Sequence, residues 1–217
     1  MFIHGFGGDT SATWSAFPNF LMDDHQLQSW GILSLGYASS IRIDVPGLWS
    51  GDANIDVLAQ GLQTALSLSP FDHCEVIAIA AHSMGGLVVQ RAILNDERLR
   101  DRVSHLFLFG TPSKGLVKAW FGSLFKPQLA DMRADGPFIK TLRVDWSERF
   151  GSGTPFLFRA VAGERDEFVP CAAKGTVFGC VWIEGGNAVQ LRNRAEFSKL
   201  AELPHDDLVG VRSDRVL

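Results

Sequence analysis

Ser83 sits in Ala80-Ala81-His82-Ser83-Met84-Gly85-Gly86, at the point where one apolar run ends and another of different period begins. Val76-Ile77-Ala78-Ile79-Ala80-Ala81 has the length and continuity of a strand buried on both faces, and Met84 to Leu94 has helical length. A serine on a tight turn between such a strand and such a helix is a nucleophile elbow, whose hydroxyl is presented to attack a carbonyl carbon. Side chains two places before and two after that serine would collide as strand and helix close up. Ala81 and Gly85 fill those places, alanine adding one methyl group to the usual glycine. The plain alternative is a glycine-rich turn without chemistry, and the flanking strand and helix favour the nucleophile. A hydroxyl is inert until a base takes its proton and a third group orients that base. The histidines available are His4, His25, His73, His82, His105 and His205.

Composition bounds the setting for that chemistry. At 217 residues, with 46% hydrophobic and 20% charged residues, the chain suits one soluble globular domain with a substantial core. A net charge of −4 and no basic cluster argue against nucleic acid as a partner. Three cysteines at irregular spacing make neither a disulfide framework nor a metal site, and no dinucleotide fingerprint follows a strand, so no cofactor is expected. No apolar run is long enough to span a membrane. Met1–Gly5 lacks the charged and apolar regions of a signal peptide, which leaves a cytoplasmic location as the expectation. Strands are predicted at Phe2–His4, Ile41–Val45, Glu75–Ala81, Val103–Phe109, Pro155–Val161 and Val181–Ile183. Helices are predicted near Thr13–Asp24, Ile55–Leu68, Met84–Asn95, Gly115–Phe125, Pro137–Phe150 and Ala195–Leu203. Alternation of this kind specifies an α/β fold, a parallel sheet covered by helices on both faces.

His4-Gly5-Phe6-Gly7-Gly8, Ala81-His82-Ser83-Met84-Gly85-Gly86, Phe109-Gly110-Thr111-Pro112 and Gly163-Glu164-Arg165-Asp166-Glu167-Phe168-Val169-Pro170 resemble the landmarks of the α/β-hydrolase fold, in order. The set is similar to the serine esterase and lipase branch, including bacterial lipases with an Ala-His-Ser-Met-Gly elbow, and to hydrolases related to the inositol deacylases of GPI anchors. The resemblance implies a minimal six-stranded, mainly parallel sheet over residues 1–217, without the two antiparallel strands that open the full fold. It implies that the first strand lies inside the sheet, between Ile41–Val45 and the elbow strand. With three residues before the His4-Gly5 turn that strand is short, and upstream residues completing it in the natural protein are the expectation.

The family's chain order of serine, acid, histidine leaves His205 as the one histidine after any suitable acid. Asp166, on the loop after Pro155–Val161, is the acid by the same order, with Glu164 and Glu167 as competitors. The resemblance gives the oxyanion hole to the backbone N–H groups of Met84 and Phe6, with Gly7 an alternative to Phe6. His4 reads as a hydrogen-bonding support of its loop and His82 as packing under the elbow. Leu116, Val117, Trp120, Phe121, Leu124 and Phe125 recur at helical spacing. They read equally as a helix covering the sheet or as a lid or acyl-chain wall, the segment 115–138 being the candidate lid. Trp14, Trp120 and Phe121 are the candidate substrate-binding residues, and Trp14 also reads as core. The expected function is a serine carboxylester hydrolase (esterase or lipase) acting on a small-molecule apolar or lipid ester, with peripheral membrane contact as a possibility. An acyltransferase on the same triad and a non-catalytic ligand- or partner-binding protein are the alternatives.

Overall fold

The computed structural model describes residues 1–8, 12–37, 53–116, 127–163 and 180–183, with the backbone alone at 162–163 and 180–183. The six strands are β1 (Phe2–Ile3), β2 (Ser34–Leu35), β3 (Ile77–His82), β4 (Val103–Phe109), β5 (Leu157–Gly163) and β6 (Cys180–Ile183). They form one sheet in the order β2-β1-β3-β4-β5-β6. Every pairing in it is parallel. The α-helices are α1 (Phe17–Met22), α2 (Ile55–Leu66), α3 (Met84–Asn95), α4 (Glu97–Arg102), α5 (Pro127–Asp131) and α6 (Pro137–Phe150).

β1 lies inside the sheet beside the elbow strand β3, as expected, but its other neighbour is β2. The strand predicted at Ile41–Val45 falls outside the described residues. Ser34 is exposed and Leu35 half-buried, so the short strand that takes this place carries no apolar run to announce it. From β1 the chain crosses to β2, whereas from β3 it steps the other way through β4 and β5. The carboxyl ends of β1 and β3 therefore flank a topological switch point, where open α/β sheets leave a crevice.

β3 alternates: Ile77, Ile79 and Ala81 are buried, while Ala78, Ala80 and His82 are half-buried. Burial on both faces was expected. The difference arises because the larger core cluster, built on α2, α3 and α6, covers one face, whereas Phe2, Trp14, Phe17, Phe109 and Val161 form a smaller cluster on the other. α3 is the central helix, with nine of its twelve residues buried. Arg91, on an outer flank of α3, donates to Asp56 of α2 at 2.8 Å and to Asp145 of α6 at 2.6 Å, tying the three helices together. Arg102 donates to the carbonyls of Leu66, Phe71 and Cys74, satisfying acceptors at the end of α2 and in the turn beyond it.

The helix predicted from Gly115 does not start there. Gly115 has φ +78°, a left-handed value that no α-helical residue adopts. Leu116 instead bridges to Arg133, with its N–H donating to Met132 O at 2.7 Å and its carbonyl accepting from Ala134 N–H at 3.1 Å. Leu116, Leu129 and Met132 pack into the larger core. Residues 117–126, the middle of the candidate lid, and the helix predicted at Ala195–Leu203 lie outside the described residues. Among the described residues no helix is long and apolar enough to cross a membrane.

Candidate active site

Ser83 follows β3 directly and stands at the N-cap position of α3 with φ +51° and ψ −125°. A serine in this region is strained by about 1–3 kcal/mol and persists only where its surroundings over-determine it. Its N–H donates to Phe109 O at 2.8 Å, and its carbonyl accepts from Gly86 N–H at 3.0 Å. Packing completes the constraint. A Cβ on Gly85 would stand 2.3 Å from His4 O, and one on Gly86 would stand 2.0 Å from Thr111 Oγ1. A Cβ on Gly5 would stand 2.7 Å from the Cβ of Ser83 itself. These glycines let the loop after β1, the first turn of α3 and the end of β4 converge on one serine.

The expected oxyanion donors each follow one of those close-packed residues. Met84 is fully buried and opens α3, where helix geometry leaves N–H groups without intrahelical acceptors and favours negative charge. Phe6 follows Gly5 in a turn closed by Gly8 N–H donating to Gly5 O at 3.1 Å, with Gly7 at φ +68°. The structure thus brings Ser83, Met84 and the Phe6 loop to one end of the sheet.

Two histidines line this neighbourhood. His4 is buried, its Nε2 accepting from Tyr37 N–H at 3.2 Å and its Nδ1 lying 2.8 Å from Gly5 O. A carbonyl only accepts, so Nδ1 carries the proton and Nε2 is the bare nitrogen. Both ring nitrogens are engaged in holding the loop. The His82 ring meets Trp14 edge-on, with centroids 6.4 Å apart. Burial of the ring, and secondarily its proximity to His4, push its pKa down to about 4.

Trp14, expected to bind substrate, is packed in the core instead. It is 2% exposed, and its ring tilts against Phe2 at 4.9 Å and meets Phe109 edge-on at 5.8 Å. The aromatic faces of β1 and β4 need a large partner on this side of the sheet, and Trp14 supplies it. Asp166, His205, Trp120 and Phe121 lie outside the described residues. β5 is described as far as Gly163, in parallel register with β4, so the chain heading for Asp166 leaves the same edge of the sheet that carries Ser83.

The sequence did not single out Tyr37 or Gln90. Tyr37 O–H donates to His4 O at 2.6 Å, and its ring stacks on that of His4 at 4.4 Å. Gln90 Nε2 donates to Gly86 O at 3.2 Å and to Ser113 Oγ at 3.3 Å, holding the Thr111–Ser113 turn against α3. A polar glutamine among the apolar residues on the buried side of α3 was the available signal for that contact. Among the described residues, no group of three or more His, Cys, Asp or Glu side chains is placed to hold a metal.

The sequence model of the alpha/beta hydrolase family matches residues 1–216. Among solved structures, the chain is similar to the phospholipase PlaB of Legionella pneumophila, with 18% identity and a TM-score of 0.58, covering 76% of this chain and 37% of that one. A lipase-esterase related protein of Clostridium acetobutylicum gives a TM-score of 0.58 at 12% identity, covering 92% of this chain and 90% of the other. A thermophilic esterase gives 0.53 at 16% identity, covering 96% and 89%. The chain spans less than two fifths of the phospholipase's length. No curated protein matches the sequence. At these identities the solved structures show a common fold.

Proposed function

Because this chain belongs to the alpha/beta hydrolase family, we propose that it is a serine hydrolase of carboxylic esters with Ser83 as its nucleophile. The observation that carries the reading is the backbone of Ser83 at φ +51°, packed against Gly5 at a strand–helix junction that Gly85 lets close on His4 O. A strained residue that its surroundings hold so firmly is the signature of a functional position.

In this reading Ser83 Oγ attacks the ester carbonyl carbon while its proton passes to His205 Nε2. The carbonyl oxygen takes up negative charge and is met by the N–H groups of Met84 and Phe6. Collapse breaks the bond to the alcohol, which leaves with the proton held by His205, and the acyl group stays on Ser83. Water then attacks the acyl-enzyme with His205 as base, releasing the acid and restoring the hydroxyl. Asp166 orients the imidazole and stabilises its cationic form. Chain order and loop position support these two assignments. An apolar or lipid ester as substrate is supported by the apolar run Leu116–Phe125 beyond the end of β4, and by structural likeness to proteins named as a phospholipase and an esterase.

A fluorophosphonate probe tests the nucleophile, because an activated serine reacts and an idle one does not. The expected result is a single adduct on Ser83, no labelling of Ser83→Ala, and a loss on the order of 10⁶ in turnover of p-nitrophenyl esters. A folded Ser83→Ala protein that keeps more than a few per cent of the activity would rule this serine out. A series of esters of rising acyl length, assayed on the wild type, tests the substrate class. Preference for the shortest acyl group would count against a lipid ester.

A further inference from the structure

We infer that Tyr37 is a positioning residue for the oxyanion loop, acting through His4 to set the backbone N–H of Phe6 against Ser83. The inference rests on the reading of Ser83 as nucleophile and Phe6 as oxyanion donor. Tyr37 follows β2 and reaches back to the end of β1, where it makes three contacts with one residue. Its O–H donates to His4 O at 2.6 Å, its N–H donates to His4 Nε2 at 3.2 Å, and its ring stacks on the imidazole at 4.4 Å.

Each of the two hydrogen bonds has a mechanical consequence one step on. Donation to Nε2 fixes the tautomer, so the proton sits on Nδ1 and is given to Gly5 O at 2.8 Å. The carbonyl of Gly5 and the N–H of Phe6 belong to one planar trans peptide group and point in opposite directions. Fixing Gly5 O therefore fixes the direction of the Phe6 N–H. The phenol acts on the preceding peptide. His4 O has little room beside α3, since a Cβ on Gly85 would stand 2.3 Å from it, and the Tyr37 hydroxyl holds it there. Burial of that hydroxyl pushes its pKa above the ordinary phenol range, which keeps it a donor. Oxyanion stabilisation depends on donors held in place before charge develops, and Tyr37 braces both peptides of this loop, the first through its hydroxyl and the second through its N–H and the His4 ring.

Tyr37→Phe deletes the O–H while leaving the ring and the backbone N–H. The expected result is a fall in kcat of roughly 10–100-fold with KM unchanged, since small misplacement of a catalytic group costs rate rather than ground-state binding. Affinity for a boronic acid, which forms a tetrahedral adduct on the serine, should weaken by the same factor. A merely structural residue would not shift these two together while sparing KM. A folded Tyr37→Phe protein with wild-type kcat and boronate affinity would overturn the inference. Tyr37 is also the one tyrosine of the chain. Biosynthetic 3-fluorotyrosine therefore places a single ¹⁹F reporter at this position, which serves if Tyr37→Phe fails to fold. Its resonance should move when boronate binds the wild type and stay still in Ser83→Ala. An unmoved resonance in protein that fluorophosphonate still labels sinks the inference alone, whereas absence of labelling sinks the reading of Ser83 on which it rests.

Discussion

Ser83 and His82 are adjacent, yet the fold constrains one through its backbone and the other through its charge. The serine is held in a conformation that costs it free energy. Partial burial holds the His82 ring at a pKa of about 4, well under the ordinary 6.5. Between those values the unfolded chain binds a proton at His82 that the folded chain does not, so stability falls as pH drops from 6.5 through 4 and levels off below. The shift corresponds to roughly 3 kcal/mol across that window. Comparing urea unfolding of the wild type and His82→Gln isolates this residue from the carboxylates that titrate nearby. The wild type's advantage over the variant should shrink by about that amount between pH 6.5 and 4, and a difference flat in pH would refute it. At this scale the elbow was legible because its requirements are local: small residues two places either side of a serine between two apolar periods. The brace on His4 was not legible, because its partner Tyr37 stands 33 residues away and nothing in either neighbourhood names the other. Trp14 was ambiguous because an aromatic residue beside a glycine-rich loop at the end of a strand has the same sequence signature whether it faces substrate or core.

Among the elements, α3, α6 and β4 have the bounds their sequences predict. α3 and α6 are long, and β4 is a seven-residue run rich in aromatic and branched side chains. β2 and α4 went unseen for opposite reasons. The first is two residues with a single apolar side chain, and the second, Glu-Arg-Leu-Arg-Asp-Arg, has charges that hide its buried Leu99 and Arg100. α2 shows which features of a helix are required and which are spare. Asn54 accepts from Val57 N–H at 2.9 Å, and Asp131 of α5 accepts from Ile55 N–H at 2.8 Å, so its first turn is capped twice. Gly61, in its interior, lines a cleft of about 330 Å³ against Ile3, Leu35 and Tyr37, and nothing lies within 4 Å of where its Cβ would stand. No contact requires glycine there. Gly61→Ala should stabilise the protein by about 0.5–1 kcal/mol through helix propensity and reduced freedom of the unfolded chain. That is a rise of about 1–4 °C in Tm for a domain of this size. Calorimetry that showed no rise, or a fall, would mean that the cleft needs its present width.

For the whole molecule, the parallel sheet and its switch point explain why so few residues near Ser83 come from one stretch of chain. β1, β3 and β4 each contribute the loop at their carboxyl end, and the alternation of strands and helices was enough to foresee that convergence. Ligand linkage measures it. A boronic acid at 100 times its Kd should stabilise the wild type by about 2.7 kcal/mol, about 5–10 °C in Tm for a chain of this length. Ser83→Ala should show none of that shift, and equal shifts in both proteins would place the ligand elsewhere. The same convergence has a consequence in time. On the ribosome, β1 and its glycine loop meet β2 soon after they emerge, but their other neighbour, the elbow strand β3, follows more than 70 residues after β1. At about 5–20 residues per second, that is a wait of roughly 4–15 s. If His205 is the base, the last chemical group arrives later still. The nascent chain would then carry an inert serine until more than 120 further residues have followed it.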